Sequence, residues 1–230
     1  ICKQRVMAKD RLGVIVPYRN RYPQLVEFKS AIEKYLSREK INYRLIIVEQ
    51  DDAKLFNRGM LLNIGFKEAK KHKCNYVCFH DVDMIPSKVD YSYSENPVHL
   101  AHTLINFDNT HKPIFDQYFG GVTLFPTEIF EKINGYSNEY WGWGYEDDDL
   151  LHRCKKRGVP LDIVRLGEYK DTDKQKKMVF QFIDKGNYTG PCIKIIPSQI
   201  LSDTFKNSFT IQLWLYPSHD LILNETNDYD

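Results

Sequence analysis

Nothing in this chain of 230 residues reads as a membrane span: no apolar run approaches the ~20 residues a helix needs to cross a bilayer. No leader with a basic start, an apolar middle and a small-residue cleavage site is visible either. The chain opens on Ile1 rather than Met, as an excised fragment would. An excess of one charge is also missing. Thirty-two Lys and Arg stand against 31 Asp and Glu, a formal net charge of +1. That excludes nucleic acid as the main partner, because phosphate-backbone binding needs a clear basic excess. Cysteine is scarce and odd in number. Cys2, Cys74, Cys78, Cys154 and Cys192 follow no disulfide framework, and Cys74 and Cys78 lack the CxxC spacing of a zinc site. They read as buried or surface thiols. There is no G-x-G-x-x-G or Walker loop, no internal repeat and no low-complexity tract. Two N-x-T sequons begin at Asn187 and Asn224; they count only in a secreted chain.

What is present is ordinary globular composition. Hydrophobic residues make up 42% and charged residues 27%, which suffices for one catalytic domain with a sizeable core. Leu12–Val16 is a short apolar run ending at Pro17, and reads as a buried strand. Leu25, Phe28, Ile32 and Tyr35/Leu36 then recur at helical spacing. Leu45–Val48 is a second strand, Met60, Leu61 and Ile64 suit a second helix, and Tyr76–Phe79 is a third strand. Strand, helix, strand, helix, strand predicts an α/β fold with a mainly parallel sheet flanked by helices. Ligands of such sheets gather beyond the carboxyl ends of the strands, where Tyr18–Arg21 and His80–Asp83 both fall. After Pro86 the polar, aromatic stretch Lys88–Asn96 reads as a loop. Tyr118–Phe125 reads as a strand interrupted by a Gly pair, which marks a bulge or a close approach. A short helix through Ile129, Phe130 and Ile133 stops at Asn134-Gly135. Glu146–Arg157 is a helix with acids in its first turn, bases in its last and Gly158 beyond.

Three groups of residues carry chemistry. Asp81 and Asp83 place two carboxylates one residue apart at a strand end, where both can approach a hard divalent cation such as Mg²⁺ or Mn²⁺ that also bridges to phosphate oxygens. A polar strand-end turn would give the same letters. Trp141-Gly142-Trp143-Gly144-Tyr145 precedes four consecutive acids, Glu146 to Asp149. Acids suit a helix start, but four in a row exceed what a helix dipole needs. Their mutual repulsion raises carboxylate pKa values, which suits a general base. The Trp and Gly residues offer a flat apolar platform for a sugar ring. Tyr18, Arg19, Arg21, Phe56 and Arg58 add aromatics for a base and guanidinium groups for a diphosphate.

Five stretches resemble the β-1,4-galactosyltransferase family: VIVPYRNR (Val14–Arg21), FNRGMLLNIGF (Phe56–Phe66), FHDVDMIP (Phe79–Pro86), YFGGV (Tyr118–Val122) and INGYSNEYWGWGYEDDD (Ile133–Asp149). They stand in the family's order and cover most of residues 12–160. The resemblance implies an inverting, GT-A-type (Rossmann-like) transferase that uses UDP-galactose and Mn²⁺. It implies donor contacts by Pro17, Tyr18, Arg19, Arg21, Phe56, Arg58, Val82 and Asp83, with Asp83 a metal ligand. Tyr118 would favour galactose over its N-acetylated form, and Trp143 would close over the donor. Asp147 would be the catalytic base, with Glu146, Asp148, Gly144 and Tyr145 at the acceptor. There are two departures. Tyr145 stands where the family has a small residue or Arg. The family's metal-binding His is missing from Leu166–Lys177, where Glu168, Asp171 or Asp173 are the oxygen donors on offer, with Asp81 a further one.

These features define a transferase domain over residues 1–177. Residues 178–230 form a β-rich tail, either the transferase's last strands or the start of a truncated laminin-G or concanavalin-like domain, which SFTIQLWLYP (Ser208–Pro217) resembles. Expected partners are a UDP-sugar and a glycan acceptor. Two other readings stay open: a catalytically silent carbohydrate- or nucleotide-binding module, and a same-family transferase using UDP-GalNAc or UDP-glucose. The compartment follows the source: the Golgi lumen for the eukaryotic family, the cytoplasm for a bacterial or viral chain.

Overall fold

A computed structural model describes residues 10–105, 111–113, 119–142, 144–161, 167–172, 193–194, 208–209 and 212–213. Its centre is three parallel strands. β1 (Leu12–Tyr18) lies between β2 (Tyr43–Gln50) and β3 (Tyr76–His80), with Val14 opposite both Leu45 and Cys78. All seven residues of β1 and all five of β3 are buried, as expected of strands covered on both faces. β1 continues through Pro17, beyond the predicted end. Its pairing with β3 stops at Ile15, so proline's missing N–H falls where one neighbour has already parted.

The period of two sorts the strand residues between two cores. Leu12, Val14, Val16, Leu45, Ile47, Tyr76 and Cys78 face α1 (Tyr22–Arg38) and its buried Leu25, Phe28, Ile32 and Leu36. Ile15, Ile46, Val48, Val77 and Phe79 face the other way. There they meet α2 (Arg58–Lys71), α3 (Thr127–Lys132) and α4 (Glu146–Lys156). Phe79 packs within 4.6 to 5.9 Å, centroid to centroid, of Phe125, Phe130 and Tyr136. α2 approaches the sheet closely at Gly65, where any Cβ would collide with Ile15. Cys74, Cys78 and Cys154 are buried free thiols.

Beyond β3 the chain enters β4 (Met84–Lys88), where a loop is expected only after Pro86. It continues through β5 (Val98–His99), β6 (Thr103–Ile105) and β7 (His111–Pro113) into β8 (Val122–Pro126). β8 pairs antiparallel with both β3 and β5, so the large sheet is parallel at its centre and antiparallel outward. β9 (Glu168–Asp171) joins a second sheet in the order β4-β9-β6-β7. Short pieces of the tail also pair with the main sheet. β10 (Ile193–Lys194) lies antiparallel to β2, β11 (Ser208–Phe209) parallel to β2, and β12 (Gln212–Leu213) against β10. Among the described residues no helix is long and apolar enough to cross a membrane.

Candidate active site

The ends of β1 and β3 and the starts of α2 and α4 converge, and Arg58 lies where they meet. It is the first residue of α2, after the N-cap Asn57, whose side chain accepts a hydrogen bond from the Met60 N–H. Asn57 is itself held from two sides. Its N–H donates to the Gln50 side chain at 2.8 Å and its amide donates to the Asn138 carbonyl at 2.6 Å. The anchored helix start aims a guanidinium that is 10% exposed. Its Nε donates to Asp81 at 2.9 Å and its Nη1 to Asp147 at 2.7 Å, with Glu146 3.7 Å away. The Tyr136 ring lies beneath, 5.9 Å from the guanidinium carbon. Burial disfavours the charge of Arg58, yet Asp147 and Asp81 outweigh it and hold its pKa well above the ordinary value.

Asp147 is the responsive member of this cluster. Burial pushes its carboxyl up to about 7; Arg58 pulls it back, while Glu146 and Asp81 push it further up. The crowding of acids seen in the sequence contributes, but burial is the larger cause. Asp148 is exposed, and Asp149 turns to Arg153 at 2.6 Å. The helix is entered through Tyr145, in the left-handed region at φ 73 and 74% exposed. Gly142 and Gly144 also have positive φ.

Asp81 and Asp83 sit on a turn that three backbone contacts fix. The Asp81 N–H donates to the Gly121 carbonyl at 2.9 Å, Met84 N–H to the Asp81 carbonyl, and Thr172 N–H to the Asp83 carbonyl at 2.9 Å. Gly121, at φ 72, would bring a Cβ to 2.8 Å from the Met84 sulfur, which accounts for the second glycine of the pair. Behind the turn, His80 is fully buried between the Asp81 carbonyl and the Tyr91 hydroxyl, each at 2.9 Å. Burial lowers its pKa to about 4, so it stays neutral and structural.

The predicted donor residues divide. Arg21 donates to Asp83 at 3.0 Å. Arg19 stacks over Phe56 at 5.4 Å and donates to the Lys54 carbonyl at 2.6 Å. The Phe56 carbonyl accepts from Gly142 N–H, and Lys54 lies 5.3 Å over Trp141, so the first loop, residues 51–57 and the Trp-Gly loop form one rim. Pro17, Tyr18 and Val82 are buried, which leaves them little beyond backbone and edges to offer a nucleotide. Arg58 is expected on the diphosphate but holds carboxylates here. Tyr118, Trp143 and Asp173 lie outside the described residues, as does the side chain of Asp171.

The residues expected to hold a divalent cation can be checked against their chemistry. Asp83, in the turn before β4, offers hard carboxylate oxygens on a side chain 15% exposed and paired with Arg21. Asp81 is engaged by Arg58. Glu168 does not belong with them. It pairs with Lys88 at the far end of β9 from Thr172, roughly 13 Å along the strand, too far to share an ion with Asp83. Thr172, which also donates its hydroxyl to the Asp83 carbonyl at 3.2 Å, marks the end of β9 as the neighbour of Asp83, since Asp171 pairs there with Met84. Among the described residues no group of three His, Cys, Asp or Glu side chains forms a closed metal site. Tyr136, His80 and Thr172 are the contributors that sequence reasoning missed. Tyr136 and His80 fall inside the family-like stretches, but nothing in their spacing tells of a ring under Arg58 or a prop behind Asp81.

Comparison with known proteins gives this site a class. Residues 3–95 match the N-terminal region of glycosyl transferase group 7, and residues 101–176 the N-terminal domain of galactosyltransferase. The human β-1,4-galactosyltransferase 4 is 36% identical over 189 residues, 80% of this chain and 52% of the relative. The human β-1,4-galactosyltransferase 7 is 36% identical over 158 residues, 66% of this chain and 46% of the relative. The catalytic domain of Drosophila β-1,4-galactosyltransferase 7, solved with xylobiose, superposes with a TM-score of 0.66. It is 25% identical, over 96% of this chain and 99% of that one. A point mutant of the same Drosophila enzyme, in complex with manganese, UDP-Gal and xylobiose, gives a TM-score of 0.60. It is 28% identical, over 71% of this chain and 66% of that one. The fold is that of the GT-A galactosyltransferases. The chain belongs to the β-1,4-galactosyltransferase family; it spans about half the length of the human relatives it matches.

Proposed function

We propose that this chain transfers galactose from UDP-galactose to a hydroxyl of a carbohydrate acceptor, with inversion and with Mn²⁺ assistance. The observation that carries the reading is Asp147: a largely buried carboxylate, its side chain 13% exposed, with a pKa of about 7, one residue past Glu146 and two past the exposed Tyr145. A base with its pKa near the working pH combines a sizeable ionised fraction with real proton affinity. Asp147 takes the proton of the acceptor hydroxyl as its oxygen bonds to the donor's anomeric carbon, and the bond from that carbon to the diphosphate breaks on the opposite side. Arg58 holds Asp147 in place. Arg19 and Phe56 form the wall on which the uracil ring lies, Arg21 faces the diphosphate beside Asp83, and the Trp-Gly loop excludes water that would hydrolyse the donor. Mn²⁺, held by Asp83, would stabilise the charge on the departing diphosphate as a Lewis acid. The pairing of the described tail strands with β2 supports reading residues 178–230 as the transferase's own last strands.

The test of the donor is UDP release measured with UDP-galactose, UDP-GalNAc and UDP-glucose, with and without Mn²⁺. Galactose should lead, and Tyr118→Leu should raise use of UDP-GalNAc; preference for another donor in the unaltered chain would reassign the substrate. The lack of a His in Leu166–Lys177 favours one second reading, a silent binding module. It predicts UDP binding with no release under any of these conditions.

A further inference from the structure

Charged side chains also converge on α4 away from Asp147. A cavity of ≈ 280 Å³ opens there between the last turns of the helix and the turn after α3. Asn134, Asp149, His152, Arg153, Lys156 and Arg157 form its polar walls, and Ile133 gives it an apolar side. At about 100° per residue, Asp149 and Lys156 point some 180–200° around the helix from Asp147, and Lys156 lies roughly 13 Å further along the axis. The cavity is therefore separate from the candidate active site.

Its net charge is positive. Arg153 is clamped, its Nε donating to Asp149 at 2.6 Å and its Nη1 to the Asn134 carbonyl at 3.2 Å. That pair cancels the Asp149 charge. Lys156 and Arg157 are exposed and make no ion pair with any described residue, so two full positive charges remain. Bases at a helix C-terminus complement its dipole, which suits Lys155 and Lys156 in the last turn and Arg157 at the C-cap. The dipole does not account for the concavity or for the walls supplied by Ile133 and Asn134 from another element. Guanidinium, ammonium and amide donors on one concave surface suit a tetrahedral oxyanion. The volume lies just below that of drug-sized pockets, enough for a sulfate or phosphate group with part of the ring that bears it.

We propose that this cavity on the far face of α4 is a binding site for a sulfate or phosphate group, free or carried on a glycan. It does not depend on the transferase reading, because none of its residues takes part there.

The test is the thermal midpoint of the full chain, titrated with sodium sulfate, sodium phosphate and a sulfated disaccharide. Chloride keeps the ionic strength constant. Sulfate also stabilises proteins non-specifically, without saturation, so the readout is the saturable part. The unaltered chain should give a saturable rise. Lys156→Gln/Arg157→Gln should weaken the apparent affinity at least tenfold, and Asp147→Asn should leave it intact. A disaccharide that binds tenfold tighter than inorganic sulfate identifies a glycan-borne group; equal affinities identify the free ion. A rise that never saturates, or one the double variant keeps, overturns the proposal. Both substitutions are on the surface. Should the double variant fail to fold, each single variant should still show a several-fold loss.

Discussion

Replacing Arg58 by Gln removes the guanidinium that Asp81, Asp147 and Glu146 share. Glutamine keeps an amide but no charge, so the carboxylates are left facing one another. The donor atoms are 2.9 and 2.7 Å from their partners and the side chain is 10% exposed; Asp147 is 13% exposed, so water makes good little of its loss, and more at Asp81, which is 29% exposed. Removing one partner from a buried pair costs about 3–5 kcal/mol. In a chain of this size that is a fall in thermal midpoint of roughly 6–20 °C. The cost must also depend on pH. The folded pKa of Asp147 is about 7 against about 3.9 when unfolded. Between those values the native state keeps a proton that the unfolded state has released. Stability from this group is therefore full below about 4, falls as pH rises and levels off above about 7. Without Arg58 the carboxyl moves higher still, so the variant goes on losing stability above pH 7 where the original chain has levelled off. Urea unfolding at pH 6 and pH 8 checks both points: the deficit should be several kcal/mol at pH 8 and smaller at pH 6. A deficit below about 1 kcal/mol, or the same deficit at both pH values, would refute Arg58 as the shared counter-ion.

Other substitutions probe separate parts of the account. His80 has its pKa lowered to about 4 from about 6.5 unfolded. Acidification from 6.5 to 4 therefore costs roughly 3 kcal/mol as the unfolded state takes the proton first. His80→Gln should flatten that limb in denaturant titrations, and an unchanged limb would contradict the assignment. Gly65→Ala forces a methyl against Ile15 and should cost about 1–3 kcal/mol, visible as a lower urea midpoint. Tyr145→Gly removes a left-handed non-glycine and should leave stability unchanged or raise it by up to about 1 kcal/mol; a calorimetric loss would mean that the exposed ring packs on something.

Much of the fold was legible because its signals are local. The runs at Leu12, Leu45 and Tyr76 are continuous and apolar, and each proved to be a strand of the parallel centre. α4 announced itself by acids first, bases last and Gly158 beyond. The second sheet was not legible. β4 is five residues long with Pro86 in its middle, and it is a strand only because β9, far along the chain, pairs with it. At the site, residue types pointed to a base and a cation ligand. Pairing did not show: Arg58 reads as a phosphate ligand, and its carboxylate partners stand 23 and 89 positions on. The pKa of Asp147 likewise depends mainly on burial, which is a property of the packed domain and not of the four-acid run.

The most direct test of the central claim is UDP release with UDP-galactose and a panel of GlcNAc-, Glc- and Xyl-terminated acceptors. It compares the chain with Asp147→Asn, with and without Mn²⁺, across pH 5.5 to 8.5. The account predicts acceptor-stimulated, Mn²⁺-dependent release that rises with pH through about 7 and falls at least 10²-fold in the variant. Release that Asp147→Asn leaves intact, or no release from a folded chain that still binds UDP, would contradict it.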